Sequence, residues 1–353
     1  MVIFLFAWKI EVSCDAWVLP RDRRHLPFYW RRPPLIEMTN ATLPSHVRAF
    51  APGSIGNIGP GLDVLGCAVT GAGDIVELRL SDEPSETSIS IVEPGHPELP
   101  SDPSRHAAAI AAMSVWRRAG GGSGRSFVMH VTKGLPLAGG QGGSAASAVA
   151  GAVAMNALLG ERLDEAAVLA AALDAEATVA GRHADNLAPA LLGGVVLVRS
   201  LDPLDVVRLP FPATLRVVLV HPEQRLRTAA ARTVLPNEID RHLFVEQSAN
   251  IAAMVAAFAS GDLDLLRRAL DDRIAEPARA PLLPGFNEAK AAALAAGAAG
   301  CSISGAGPTS FAFASDDATA ARIAKAMCAG YASRGVRASA RVERIDPRGA
   351  RLL

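Results

Sequence analysis

The chain has 353 residues, half of them hydrophobic, enough to bury a large core and to divide into two domains. Lys+Arg and Asp+Glu both total 35, so no overall field exists to hold nucleic acid or an anionic membrane, and neither is expected as a partner. The four cysteines, Cys14, Cys67, Cys301 and Cys328, form no CxxC, which argues against a disulfide framework or a zinc site and for a cytoplasmic location.

In chain order, residues 1–45 read as a disordered extension. Three of the four tryptophans fall there, and "MTNATLPSHVRAFAPGS" from Met38 reads like a natural start. "GDIVELRLS" (Gly73–Ser81) and "SFVMHVT" (Ser126–Thr132) alternate apolar and polar residues as strands do. "SRHAAAIAAMSVWRRAGGG" between them reads as a helix stopped by glycines. A helix is predicted over Ser144–Leu159, its Ala/Gly-rich run suited to close packing and too weakly apolar for lipid, and no transmembrane helix is predicted. Another helix begins near Asp164, whose acid suits a helix N-terminus. "GGVVLVRS" (Gly193–Ser200) reads as a buried strand. The Pro-containing "LDPLDVVRLPFPAT" then separates two domains, 46–205 and 206–353. The second holds a strand at Leu215–Pro222, helices at Leu243–Ala259 and Asp262–Asp271, a strand–loop–strand in "GCSISGAGPTSFAFAS", a helix at Ala318–Ser333 and a strand at Arg341–Ile345, an α+β order.

The most telling stretch is "LPLAGGQGGSAASAVAG" (Leu135–Gly151). A helix starts with backbone N–H groups that lack partners, and its dipole is positive there. Glycines just upstream let a ligand come close to those groups, a combination that cradles phosphate. No Lys follows, so the loop is not a Walker A motif. A dinucleotide fingerprint fits poorly, because the position some twenty residues on, near Asp164, is a helix start and not a strand end.

"PLAGGQGGSAA" (Pro136–Ala146) resembles the PxxxGLGSSAA loop of the GHMP kinases, which phosphorylate small molecules. "APGSIGNIGPGLDVLG" (Ala51–Gly66) resembles the N-terminal motif of that superfamily, and "SISGAGPTSFA" (Ser302–Ala312) its C-terminal glycine loop. "GRHADNLAPALLGG", "TAAARTVLP" and "IAEPARAPLLPGF" are most similar to the homoserine kinases within it. The resemblance covers roughly residues 46–345. It implies a two-domain α+β / α/β GHMP-kinase fold, with an N-terminal ribosomal-protein-S5-domain-2-like domain, a C-terminal ferredoxin-like domain and the ligand in the cleft between them. It also implies ATP-dependent phosphorylation of L-homoserine to O-phospho-L-homoserine, in threonine biosynthesis, with ATP and Mg²⁺ as cofactors. Many relatives are homodimers, and no stretch of this sequence marks an interface.

By the same resemblance, the ATP phosphates meet Pro136, Leu137, Ala138, Gly139, Gly140, Gln141, Gly142, Gly143, Ser144, Ala145 and Ala146. Ser144 and Glu176 hold the metal. Arg232 and Arg279 take the substrate carboxylate, where a planar guanidinium can bind both oxygens. Asp63 faces the ammonium, Asn57 the hydroxyl, and His183 and Thr228 line the pocket. Gln141 replaces the usual Leu and Gly143 the first Ser, which removes one hydroxyl and leaves the amides in place. Two other readings stay open: a GHMP kinase acting on mevalonate, shikimate or a sugar, and a non-catalytic nucleotide-binding descendant.

Overall fold

The structure is a computed structural model that describes residues 44–81, 89–121 and 125–353; the expected extension before Pro44, with Met38, lies outside them. Strand β1 (His46–Gly56) pairs antiparallel with β2 (Leu65–Ser81), with a register shift between Pro52 and Gly53. Proline cannot donate to a ladder, so it sits where the pairing breaks. β2 begins well before the expected Gly73, because Leu65–Val69 are buried and show no alternation. β4 (Ser126–Thr132) pairs with Ile75–Ser81 of β2, and β3 (Ile89–Glu93) runs parallel to β4. β5 (Val195–Leu201) joins β2 at Leu65–Cys67 and makes a hairpin with β6 (Leu204–Leu209). The last strand, β11 (Arg351–Leu352), returns to the free edge of β1.

Helices α1 (Ala107–Arg118), α2 (Gly143–Leu158), α3 (Glu165–Val179) and α4 (Leu187–Leu192) build the first core with this sheet. Asp164 caps α3 by accepting from the Ala167 N–H. α2 lies between α1, α3 and strands β1 and β2. Its small residues make that possible: a Cβ on Gly151 would stand 2.3 Å from the Ala108 carbonyl oxygen.

The second sheet is antiparallel, in the order β10 (Ala338–Arg344), β7 (Arg216–Pro222), β9 (Ser310–Ala314), β8 (Cys301–Ile303). One face packs Val218 and Ala312 against Phe286 of α9 (Phe286–Ala295) and Ile323, Met327 and Tyr331 of α10 (Asp317–Ala332). The other face, with Leu219, Phe311 and Phe313, meets α6 (Arg241–Ser260), α7 (Leu263–Ala269) and the tip of the first sheet at Ile55, Ile58, Leu65 and Cys67. This shared core makes the described residues one compact unit. β6 runs across the expected boundary at 205/206, and the chain passes to the second sheet through residues 210–215.

By length and mean hydropathy (1.3), α6 is apolar enough to cross a membrane. Its Gln247, Met254, Ala257 and Phe258 are buried in the protein, as one face of a core helix is.

Candidate active site

Gly142, the residue before α2, has φ +67°, and no side chain caps the helix start. Ala138 (φ +49°) and Gly140 (φ +72°) also turn left-handed. These turns direct the loop carbonyls into the protein. Thr309 N donates to Gly139 O (3.3 Å), Ser304 Oγ to Gly140 O (2.6 Å), and Ser54 N to Gln141 O (3.1 Å). Lys133 Nζ donates to Gly143 O (2.9 Å). With the carbonyls occupied, the amides at the helix tip are left for an anion. The loop borders a cleft of about 390 Å³. Ser304 and Thr309 belong to the second glycine loop, between β8 and β9, so the two loops fold together.

The opposite wall is a strained turn. Asn57 (φ +70°), Ile58 (φ +40°) and Asp63 (φ +61°) are all left-handed, a conformation that a β-branched residue rarely adopts. Ile58 is fully buried in the shared core, and this burial offsets the strain. Asn57 Oδ1 accepts from Asp63 N (3.1 Å), and its Nδ2 donates to Gly305 O (2.7 Å). Asp185 Oδ2 accepts from Asn57 N (3.1 Å).

Asp63 faces Arg232 of α5 (Thr228–Thr233) at 2.7 and 3.3 Å, with His183 Nδ1 at 3.5 Å. Burial alone would raise the Asp63 pKa. The hydrogen bond and charge of Arg232, with His183 and Arg279, hold it below the ordinary carboxylate range. Burial lowers the His183 pKa, Asp63 opposes this and Arg232 adds to it. Arg232 Nε is buried without a hydrogen-bond partner. Orphaned buried donors are costly, and a carboxylate would satisfy this one. Arg279, on α8 (Ala275–Arg279) and 3% exposed, donates to Ala231 O (3.1 Å) and Gly305 O (3.0 Å). It braces α5 and the second glycine loop.

Ser144 Oγ donates to Glu176 (2.8 Å). Burial pushes the Glu176 carboxyl up to about 7, against the Ser144 bond, with Asp185 adding and Arg232 opposing. One half-buried carboxylate beside one hydroxyl at a phosphate loop suits Mg²⁺, a hard cation that keeps few protein ligands. No group of three His, Cys, Asp or Glu side chains able to hold a metal occurs among the described residues. At Gly143 the nearest atom to an added Cβ is Lys133 Nζ at 3.5 Å, so a serine there would have room.

Of the residues singled out in the sequence, Asn57, Pro136, Leu137, Ala138, Gly139, Gly140, Gly142, Gly143, Ser144, Ala145, Glu176, His183, Thr228, Arg232 and Arg279 line the cleft. Ala146 is fully buried in the first core, Gln141 is buried beside the second sheet, and Asp63 reaches the cleft wall through Arg232. Lys133, Asp185 and Asn186 line the cleft and were not proposed from sequence. Lys133 also donates to Ser147 Oγ (3.0 Å) and pairs with the buried Asp74. Lysine occurs in only four places, and one of them just ahead of the loop was a usable signal. Asp185 and Asn186 stand in the "HADN" stretch that was read for its histidine.

Residues 107–194 match the family model for the GHMP kinases N terminal domain, and residues 254–333 match GHMP kinases C terminal. The chain is 45% identical to the homoserine kinase of Arabidopsis thaliana over 314 residues, 87% of this chain and 84% of that one. It is 42% identical to the homoserine kinase of Chlorobium phaeobacteroides (strain BS1) over 289 residues, 80% and 90% of the two chains. The crystal structure of homoserine kinase from Cytophaga hutchinsonii superposes with a TM-score of 0.84 at 38% identity, covering 90% of this chain and all of that one. Likeness to other kinases extends only to the fold: the crystal structure of L. major mevalonate kinase matches with a TM-score of 0.66 at 15% identity. Ordered blocks of sequence, the paired glycine loops and these likenesses agree: the chain belongs to the homoserine kinase family of the GHMP kinases.

Proposed function

We propose that this protein catalyses the ATP-dependent phosphorylation of L-homoserine to O-phospho-L-homoserine, a step of threonine biosynthesis, in the cytoplasm. The observation that carries the reading is the Asp63–Arg232 pair at the cleft wall (2.7 Å). Each group holds the other in place of one end of a zwitterion. An amino acid brings a carboxylate for Arg232 and its orphaned Nε, and an ammonium for Asp63. Mevalonate, shikimate and galactose bring no ammonium, so they would leave Asp63 unmatched.

The amides of Gly139–Ser144 and the tip of α2 would bind the triphosphate. Ser144 and Glu176 would hold Mg²⁺, which neutralises developing phosphate charge when bound. Asn57 fixes the Asp63 turn, and its second amide N–H is free for the substrate hydroxyl. That hydroxyl oxygen attacks the γ-phosphorus, the bond to the β–γ bridging oxygen breaks, ADP leaves, and the hydroxyl proton passes to a phosphoryl oxygen. Positioning and charge neutralisation suffice for such a loose transition state. His183 and Thr228 line the cleft and would close its substrate end.

An ADP-release assay with homoserine, mevalonate, shikimate and galactose tests this. Turnover with homoserine alone is the expected result; turnover with mevalonate or a sugar in its place, or none with any, contradicts it.

A further inference from the structure

Gln141 stands where the resemblance puts leucine, and its side chain turns away from the cleft. It is 4% exposed. Its Nε2 donates to Thr309 Oγ1 (3.1 Å), and that hydroxyl lies 2.9 Å from His221 Nδ1. Arg341 on β10 donates from Nη2 to Gln141 Oε1. Both ends of the amide are therefore bonded to the second sheet and its loop. The Gln141 carbonyl is bonded to Ser54 of the first sheet. On the same strand, Glu343 accepts from Thr70 Oγ1 of β2 (2.8 Å) and lies 3.8 Å from Arg341. One strand of the second sheet thus grips the first sheet at β2 and the phosphate loop at Gln141.

A leucine side chain could make neither of the two bonds of the Gln141 amide. A guanidinium bonded to a buried amide is charge-assisted and directional; removing Arg341 leaves the buried Gln141 oxygen unsatisfied, and removing Gln141 takes from the half-buried Arg341 its bond to the loop. Burial also lowers the Arg341 pKa, with Glu343 opposing. Such a bond fixes orientation more strictly than a leucine packed against a wall.

We infer that Gln141 and Arg341 form a positioning pair that sets the phosphate loop against the second glycine loop and so tunes nucleotide affinity through the Gly139–Ser144 amides. Neither side chain touches the nucleotide. The inference rests on the reading of this loop as the ATP site.

The test is a kinetic cycle of Gln141→Leu, Arg341→Met and the double variant. Each single change should raise the KM for ATP roughly five- to tenfold, the worth of about one lost hydrogen bond, and leave the KM for homoserine and kcat within about twofold. The double variant, with neither partner stranded, should lose much less than the product of the two. Arg341→Lys, which keeps a donor, should stay close to the parent and covers the case in which the apolar variants do not fold. Effects that multiply, or that strike both KM values alike, would overturn the inference. Hydrogen exchange of the loop amides without ligand gives a second reading: faster exchange over Leu135–Ser147 in Arg341→Met, restored by Arg341→Lys. Unchanged exchange would overturn the pair even if the protein phosphorylated no homoserine, and a parent that turned over none would defeat only the functional reading.

Discussion

Asp63 and Arg232 neutralise each other until a ligand separates them, so their energetic effect belongs to binding. Asp63→Asn should raise the KM for homoserine by roughly ten- to a hundredfold, the worth of a charge-assisted hydrogen bond, and leave the KM for ATP unchanged. Steady-state kinetics checks this; a collapse of kcat at constant KM would assign Asp63 to the chemical step. Asp185 makes a prediction of the opposite kind. Burial pushes its carboxyl from an ordinary 3.8 up to about 6, with the Asp63 charge adding and the Asn57 N–H opposing. The folded state then keeps the proton longer than the unfolded one, so wild-type stability falls as pH rises from about 4 to about 6 and stays reduced above. At about 1.4 kcal/mol per pKa unit the cost is on the order of 3 kcal/mol. Asp185→Asn removes it. Urea unfolding should show the variant more stable at pH 7.5 and the gain much smaller at pH 4; a gain independent of pH would contradict this. Neither behaviour was legible in the sequence. The residue types of "GLD" and "HADN" are plain to see, but the burial of Asp185 and its contact with Asn57 come from a distant turn.

Among the elements, α2 depends on close approach. At Gly151, Ala would gain about 1 kcal/mol of helix propensity. Its Cβ would stand 2.3 Å from the Ala108 carbonyl, and no side-chain rotation can relieve a clash with another helix's backbone. Overpacking of this kind costs about 1–3 kcal/mol. Gly151→Ala should therefore lower the thermal midpoint, and an unchanged or raised midpoint would mean the helices can separate freely. The Ala/Gly run was read from sequence as a closely packed helix because composition records small size directly. Strands β4, β5 and β7 were legible by alternation or apolar runs. β1 was not, since Pro52 and two glycines disguise it as a motif. β6 was read as a linker because Pro203 stands at its start, where the hairpin turns. The helix α6 was legible in the sequence, but not that only one of its faces is buried.

For the whole molecule, the core that joins both sheets predicts joint unfolding. Ile55, Ile58 and Leu65 pack with Phe311 and Phe313, so neither sheet can open without exposing the other's apolar face. Chemical denaturation followed by tryptophan fluorescence, by far-ultraviolet circular dichroism and by activity should give coincident single transitions. Two separated transitions would show that the sheets are independent. The order of elements, strands and helices in each half of the chain, is consistent with the two sheets. The shared core was not legible in the sequence, because no local pattern records which apolar faces will meet. The same joining brings the Gly139–Ser144 amides, from the first half of the chain, beside Arg232 and Arg279 from the second. A crystal structure of the protein with homoserine and a non-hydrolysable ATP analogue tests that arrangement most directly. The expected result is the β- and γ-phosphates within hydrogen-bond distance of the loop amides, the homoserine carboxylate on Arg232 and its ammonium on Asp63. A nucleotide bound away from the loop, or homoserine bound with its amino group turned from Asp63, would contradict it.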